Sequence, residues 1–156
     1  MLADRIEAKW IDAFAAVFER CKVRVDEPVA ILSETQSRAL NVQLAELALL
    51  RLKARPFHVV VPTLPQRAPV PIRSTGASHA VQGLGPVIAA LAGAGLVVDL
   101  TVEGMLHAQE LPKILKGGAR LLMISNEHPE ALERLVPDPT LEAKVKAGVK
   151  LLKAAK

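Results

Sequence analysis

Aromatic side chains are nearly missing from this 156-residue chain: one Trp, three Phe and no Tyr, 3% in all. Single-stranded nucleic acids bind on stacked aromatic faces, which this chain has little of, and its core must come from Leu, Val, Ile and Ala. A single cysteine, Cys21, removes any disulfide framework and any structural zinc site built from several cysteines. On an apolar helix face it reads as an inert core thiol. No apolar run approaches the ~20 residues needed to span a membrane as a helix. The opening Met1-Leu2-Ala3-Asp4-Arg5 lacks the regions of a secretory leader, so the expected setting is cytoplasmic with no membrane partner. No P-loop, G-x-S-x-G elbow or H-E-x-x-H is present. Gly83-Leu84-Gly85-Pro86-Val87-Ile88 starts like a dinucleotide fingerprint, but Ile88 stands at the third glycine and the segment does not follow directly on the first strand.

What is present is a globular composition, 51% hydrophobic and 23% charged, of a length that suits one domain. The net charge of +4 is spread in a way that argues against nucleic acid as a partner. Lys113, Lys116 and Arg120 sit near one helix end. Lys144, Lys146, Lys150, Lys153 and Lys156 collect in a last patterned segment, as the solvated face of a helix.

Apolar residues at three- and four-residue spacing (Ile6, Trp10, Ile11, Phe14, Val17, Phe18, Cys21) predict an amphipathic first helix. Residues 29–32 form a short, wholly apolar run after Pro28, the pattern of a buried parallel strand. Ser37 is the expected N-cap of a second helix through Ala54, closed by Pro56. Residues 57–61 read as the next strand, followed by a proline-rich irregular loop (Pro62, Pro65, Pro69, Pro71) to about His79. Gly85-Pro86 opens a third helix that Gly93-Ala94-Gly95 ends. Then follow a strand at 96–100, a helix at 108–116 stopped by Gly117-Gly118, a strand at 120–125, a short helix from His128 or Pro129 to Leu135, and a last helix at 141–155. Strands alternating with helices predict a three-layer α/β fold of Rossmann-like type: four strands, mostly parallel, with helices on both faces.

In such sheets ligands bind beyond the carboxyl ends of the strands. Four polar segments fall there: Ser33-Glu34-Thr35, Pro62-Thr63, Asp99-Leu100-Thr101 and Ser125-Asn126-Glu127-His128. The same residue types also serve strand-to-helix turns by capping alone. Of the four histidines, His58 reads as a hydrogen-bonded core residue, while His107 (with Glu103 nearby) and His128 can reach the carboxyl edge. No three ligands converge as a metal site would need, and no catalytic constellation is complete.

The ordered segments resemble a known family. Val29-Ala30-Ile31-Leu32-Ser33, Ser37-Arg38-Ala39-Leu40-Asn41-Val42, Leu50-Arg51-Leu52-Lys53-Ala54 and Val59-Val60-Val61-Pro62 resemble the amino-terminal half of the 2,5-dihydroxypyridine 5,6-dioxygenases, relatives of the thermophilic-type metallo-aminopeptidases. The resemblance sharpens at Ala94-Gly95-Leu96-Val97-Val98-Asp99, Met105-Leu106-His107, residues 114–120 and residues 129–137. It implies that residues 1–156 are one Rossmann-like domain, the amino-terminal half of a longer two-domain enzyme. The chain itself would then hold no cofactor, metal ligand or catalytic residue. Fe(II), and the metal ligands, would belong to a carboxyl-terminal catalytic domain, which is the implied partner. The whole would be a non-haem Fe(II) enzyme cleaving a dihydroxypyridine ring with O₂, or alternatively a metallo-aminopeptidase. Leu106-His107 matches the family's Leu-Leu-His segment over the active-site cleft, so the resemblance makes both residues substrate-binding. Val102-Glu103-Gly104 lengthens the approach relative to the family pattern, and ordinary helix-start packing accounts for Leu106 equally well. Two rival expectations are a stand-alone small-molecule-binding module, and a homo-oligomerisation domain using the first helix and the proline-rich loop.

Overall fold

The computed structural model describes residues 5–65, 76–136 and 138–155. The elements alternate as α1 (Ala8–Arg20), β1 (Pro28–Glu34), α2 (Ala39–Arg51), β2 (Arg55–Val61), α3 (Gly85–Ala92), β3 (Leu96–Leu100), α4 (Leu111–Lys116), β4 (Arg120–Met123), α5 (Pro129–Arg134) and α6 (Leu141–Ala154). The sheet runs β2-β1-β3-β4, and its three pairings, expected to be mostly parallel, are all parallel. Parallel neighbours need a crossover to bring the chain back to the same edge, and helices supply it.

Side chains alternate across a strand, so each strand feeds two layers. Val29 and Ile31 of β1, with Leu96, Val98 and Leu100 of β3, meet Phe14 and Phe18 of α1 and Leu44, Ala48 and Leu49 of α2. Ala30, Leu32 and Val97 point the other way, onto Leu91 of α3, Ile114 of α4 and Met105. Being covered on both faces, β1 is apolar from Val29 through Leu32, and β3 is apolar except at Asp99. The scarce aromatics concentrate in the first layer, where Phe14 and Phe18 meet edge to face at 6.1 Å. Trp10 Nε1 donates to Glu133 Oε2 at 2.9 Å and ties α1 to α5.

Several boundaries differ from expectation. Arg38, not Ser37, stands at the N-cap of α2. Ser37 Oγ accepts from the Glu34 N–H and donates to the Leu100 carbonyl, joining the ends of two strands instead of capping a helix. The helix stops at Arg51, because the chain reverses through Lys53 at φ 58°. Pro56 does not close it but lies in β2, an edge strand, where a missing N–H is tolerated. His58 shares that edge. It is exposed rather than core, with Nε2 3.6 Å from Glu46 Oε1. α4 begins at Leu111, not Ala108, and β4 ends at Met123, because the Ile124 and Ser125 N–H groups both donate to the Asp99 carbonyl. No residue of α6 is buried, so its apolar side is exposed along with its lysines. Pro69 and Pro71 of the irregular loop, the opening Met1-Leu2-Ala3-Asp4, Pro137 and Lys156 lie outside the described residues.

Candidate functional site

From β1 the chain crosses to β2 on one side, then returns to place β3 on the other side of β1. That reversal is the switch point of the sheet, and the crevice beyond the carboxyl ends of β1 and β3 is where such folds take ligands. Two carboxyl side chains stand there. Glu34 and Asp99 continue the alternation of Leu32 and Val97 and therefore face the α3–α4 layer. Asp99 is fully buried and Glu34 is 7% exposed. Asp99 Oδ1 accepts from the Thr101 N–H at 3.0 Å and the Thr101 hydroxyl at 2.6 Å, and its Oδ2 accepts from the Met105 N–H at 2.6 Å. Glu34 Oε1 accepts from the Val102 N–H at 3.0 Å. Burial pushes the Asp99 carboxyl above the ordinary aspartate range; the hydrogen bonds from Thr101 and Met105 oppose this, and the charge of Glu34 adds to it.

These contacts shape the loop that leaves β3. Val102, Met105 and Ala108 are buried, whereas Leu106 is 53% exposed and His107 is exposed. A second segment clips the loop from outside: the Gly76 N–H donates to the Glu103 carbonyl, the Ser78 N–H to the Gly104 carbonyl, and the His107 N–H to the Gly76 carbonyl. Position 76 has φ 75°, and a Cβ there would lie 3.0 Å from Leu106 Cβ and 3.2 Å from His107 Cδ2. Glycine is what lets that backbone lie against the pair. Leu106 is not helix-start packing, since α4 begins five residues later. The structure thus presents a half-exposed aliphatic side chain beside an exposed imidazole, on a tightly bonded loop at the switch point.

Comparison with known proteins shows the family. The family model for 2,5-dihydroxypyridine 5,6-dioxygenase matches residues 9–156. The chain belongs to this family. It is 32% identical over 151 residues to the 2,5-dihydroxypyridine 5,6-dioxygenase of Pseudomonas putida, covering 96% of this chain and 42% of the relative. A solved structure agrees: that of the 2,5-dihydroxypyridine dioxygenase from P. putida KT2440 superposes with a TM-score of 0.80 at 30% identity, over 96% of this chain and 43% of that one. The chain therefore spans less than half the length of the relatives it matches.

Within this dioxygenase-family chain the other polar segments turn out to build turns. Thr35 Oγ1 accepts from the Thr63 N–H, and Thr63 Oγ1 from the Gln36 N–H. Asn126 Oδ1 accepts from the Arg38 N–H, Asn41 Nδ2 donates to the Glu127 carbonyl, and Ser125 Oγ donates to the Val102 carbonyl. His128 is exposed with Glu130 3.7 Å away, and His79 is exposed elsewhere. No three His, Cys, Asp or Glu among the described residues come together as a metal-holding group. At the start of α2, two buried polar atoms, Arg38 Nε and Asn41 Oδ1, have no hydrogen-bond partner. The sequence gives no local signal for Gly76 or for the strand-joining role of Ser37. Asn41 carried a signal: a polar residue one position after Leu40, on the helix's buried side.

The opposite edge is built differently. Arg120, grouped in the sequence with basic surface residues, reaches across the amino ends of the strands. Its Nε donates to the Gly95 carbonyl at 3.0 Å, its Nη1 to the carbonyls of Cys21 and Lys22, and its Nη2 to Glu27. An open hollow of about 480 Å³ lies beside it, lined by Arg24, Asp26, Glu27, Gly93, Gly95 and Gly118. Arg120 already occupies the largely buried carboxylate of that lining, Glu27.

Proposed function

We propose that this chain is the amino-terminal, non-catalytic domain of a ring-cleaving dioxygenase acting on a dihydroxypyridine-type substrate. The observation that carries the reading is the family match over residues 9–156, set against a relative of which the chain spans only 42%. The peptidase alternative draws no support from the matched names. Leu106 and His107 are the proposed substrate-facing residues. The Leu106 side chain suits the face of an aromatic ring, and the His107 imidazole suits a hydrogen bond with a ring hydroxyl.

A non-haem Fe(II), when bound, would supply activation of O₂. The described residues do not converge on a site that fits it, so the metal is assigned to the carboxyl-terminal part of the family's proteins, and no step is routed through it here. That part is the proposed partner. The exposed Leu141, Val145, Val149 and Leu152 support this reading, because they form an apolar stripe along one side of α6 for another surface to cover. A homo-oligomer and a cytoplasmic setting complete the proposal; no helix among the described residues is long and apolar enough to cross a membrane.

The test is an activity assay with Fe(II), O₂ and 2,5-dihydroxypyridine. The 156-residue chain alone is expected to give no turnover. A chimera in which residues 9–156 replace the matched segment of the P. putida relative is expected to turn the substrate over, and to lose that activity with His107→Ala. Turnover by the chain alone would overturn the assignment of catalysis to another domain.

A further inference from the structure

We propose that the buried carboxyl of Asp99, seconded by Glu34, is the positioning group that holds the Leu106–His107 pair at the sheet edge; this rests on the reading that the pair faces substrate. All five residues of β3 are buried, and its other four are Leu, Val, Val and Leu. An aliphatic residue at position 99 would satisfy the strand. A carboxyl there is desolvated, which is unfavourable unless its oxygens are hydrogen-bonded. Among the described residues, the hydrogen bonds to this carboxyl come from the loop that follows, two from Thr101 and one from Met105.

Met105 directly precedes the exposed pair. Its N–H is held by Asp99 while its side chain is fully buried, so the backbone entering Leu106 is fixed by both. Thr101 Oγ1 passes the hold on by accepting from the Gly104 N–H at 3.1 Å. Glu34 takes the Val102 N–H from the neighbouring strand, and Ser125 Oγ takes the Val102 carbonyl. A loop with no regular secondary structure is thereby ordered in the free chain. A substrate meeting Leu106 and His107 then does not have to order them, which spares binding that entropy cost.

The test uses backbone amide exchange followed by NMR in the 156-residue chain, with 2,5-dihydroxypyridine as the probe ligand. Asp99→Asn keeps the shape but sets an NH₂ against donors. Met105 and His107 amides are expected to exchange at least tenfold faster in it, with Val97 and Val98 within twofold of wild type, and the probe-induced shifts at His107 lost. Thr101→Val is expected to reproduce the loosening, and Thr101→Ser, which keeps the hydroxyl, to restore wild-type behaviour. Unchanged exchange at Met105 and His107 in Asp99→Asn, or a rise shared equally along β3, would overturn the proposal. If Asp99→Asn does not fold, the Thr101 pair decides: indistinguishable Ser and Val variants overturn it. If the probe shifts nothing in the wild type while both Asp99→Asn and Thr101→Val loosen the loop, the substrate reading falls and the hold of Asp99 on the loop stands.

Discussion

At the amino ends of β1, β3 and β4 a single guanidinium reaches across the gap, donating to three backbone carbonyls and to the Glu27 carboxylate. At the carboxyl ends of β1 and β3 two carboxyls do the reverse, gathering N–H groups from the loop at 101–105. A cation suits carbonyls where strands begin, and acceptors suit the N–H groups of a loop where they end. The difference goes further than sign. The amino end, hollow though it is, brings backbone and side chains close at two glycines: a Cβ on Gly95 would collide with Glu27, and one on Gly117 would lie 2.6 Å from the Ala92 carbonyl. The carboxyl end exposes Leu106 and His107 and leaves Arg38 Nε and Asn41 Oδ1 buried without partners. One end holds the sheet together; the other is built to present side chains.

Substitutions at the two ends should therefore fail in different ways. The largest loss of stability is expected from Arg120→Ala, which removes the guanidinium from Glu27 Oε1 and from the Cys21 and Lys22 carbonyls, while the Gly95 carbonyl keeps the residue-120 N–H. Discounted for the partial exposure of the arginine (34%), the loss is about 2–3 kcal/mol, or a Tm lower by roughly 5–10 °C, measured by thermal and urea unfolding. Gly95→Ala should follow at about 1–2 kcal/mol by the same measurement, since Glu27 must move aside for the new methyl. If either variant proves neutral, the amino end is not the clasp described.

The third effect is a pH slope confined to the carboxyl end. The Asp99 carboxyl is raised above its reference value of 3.8 by burial, with Glu34 as the charged neighbour facing it. The folded chain thus keeps that proton to higher pH than the unfolded chain. The contribution is fully present below the unfolded value and is lost as pH rises through the raised folded one. The stability advantage of wild type over Asp99→Asn should accordingly be greatest in acid and shrink as pH rises, which urea unfolding at several pH values would show. An advantage that grows with pH would contradict the burial argument. The smallest effect is expected where the comparison says display, not support, is the role: Leu106→Ala and His107→Ala should each change stability by about 0.5 kcal/mol or less. A larger loss would make the pair structural.

The residues that were legible in the sequence are those with local signals. Gly85-Pro86 opens α3 and Gly117-Gly118 stops α4 as read, and 96–100 is the strand expected. Features that depend on strand order were not legible. Pro56 and His58 could be placed only once β2 was known to be an edge, and the end of α2 turns on a positive φ at Lys53 that lysine does not announce. At the site, Asp99 was visible as a polar residue ending an apolar run. Its work on Thr101 and Met105 depends on how a loop folds back, which no spacing encodes. Arg120 looked like one more surface cation because its four acceptors come from segments distant in the chain, residues 21–27 and 95. His107 was readable as a histidine near the carboxyl edge, while Leu106 and the substrate role of both came from resemblance.

The most direct measurement is a ¹H–¹⁵N correlation titration of the chain with 2,5-dihydroxypyridine. Shifts are expected at residues 101–108 and at the carboxyl ends of β1 and β3, with the amino-end loops at 22–27, 93–95 and 117–118 silent. Shifts gathered around Arg24, Glu27 and Gly95, with His107 unmoved, would contradict the assignment of the two ends.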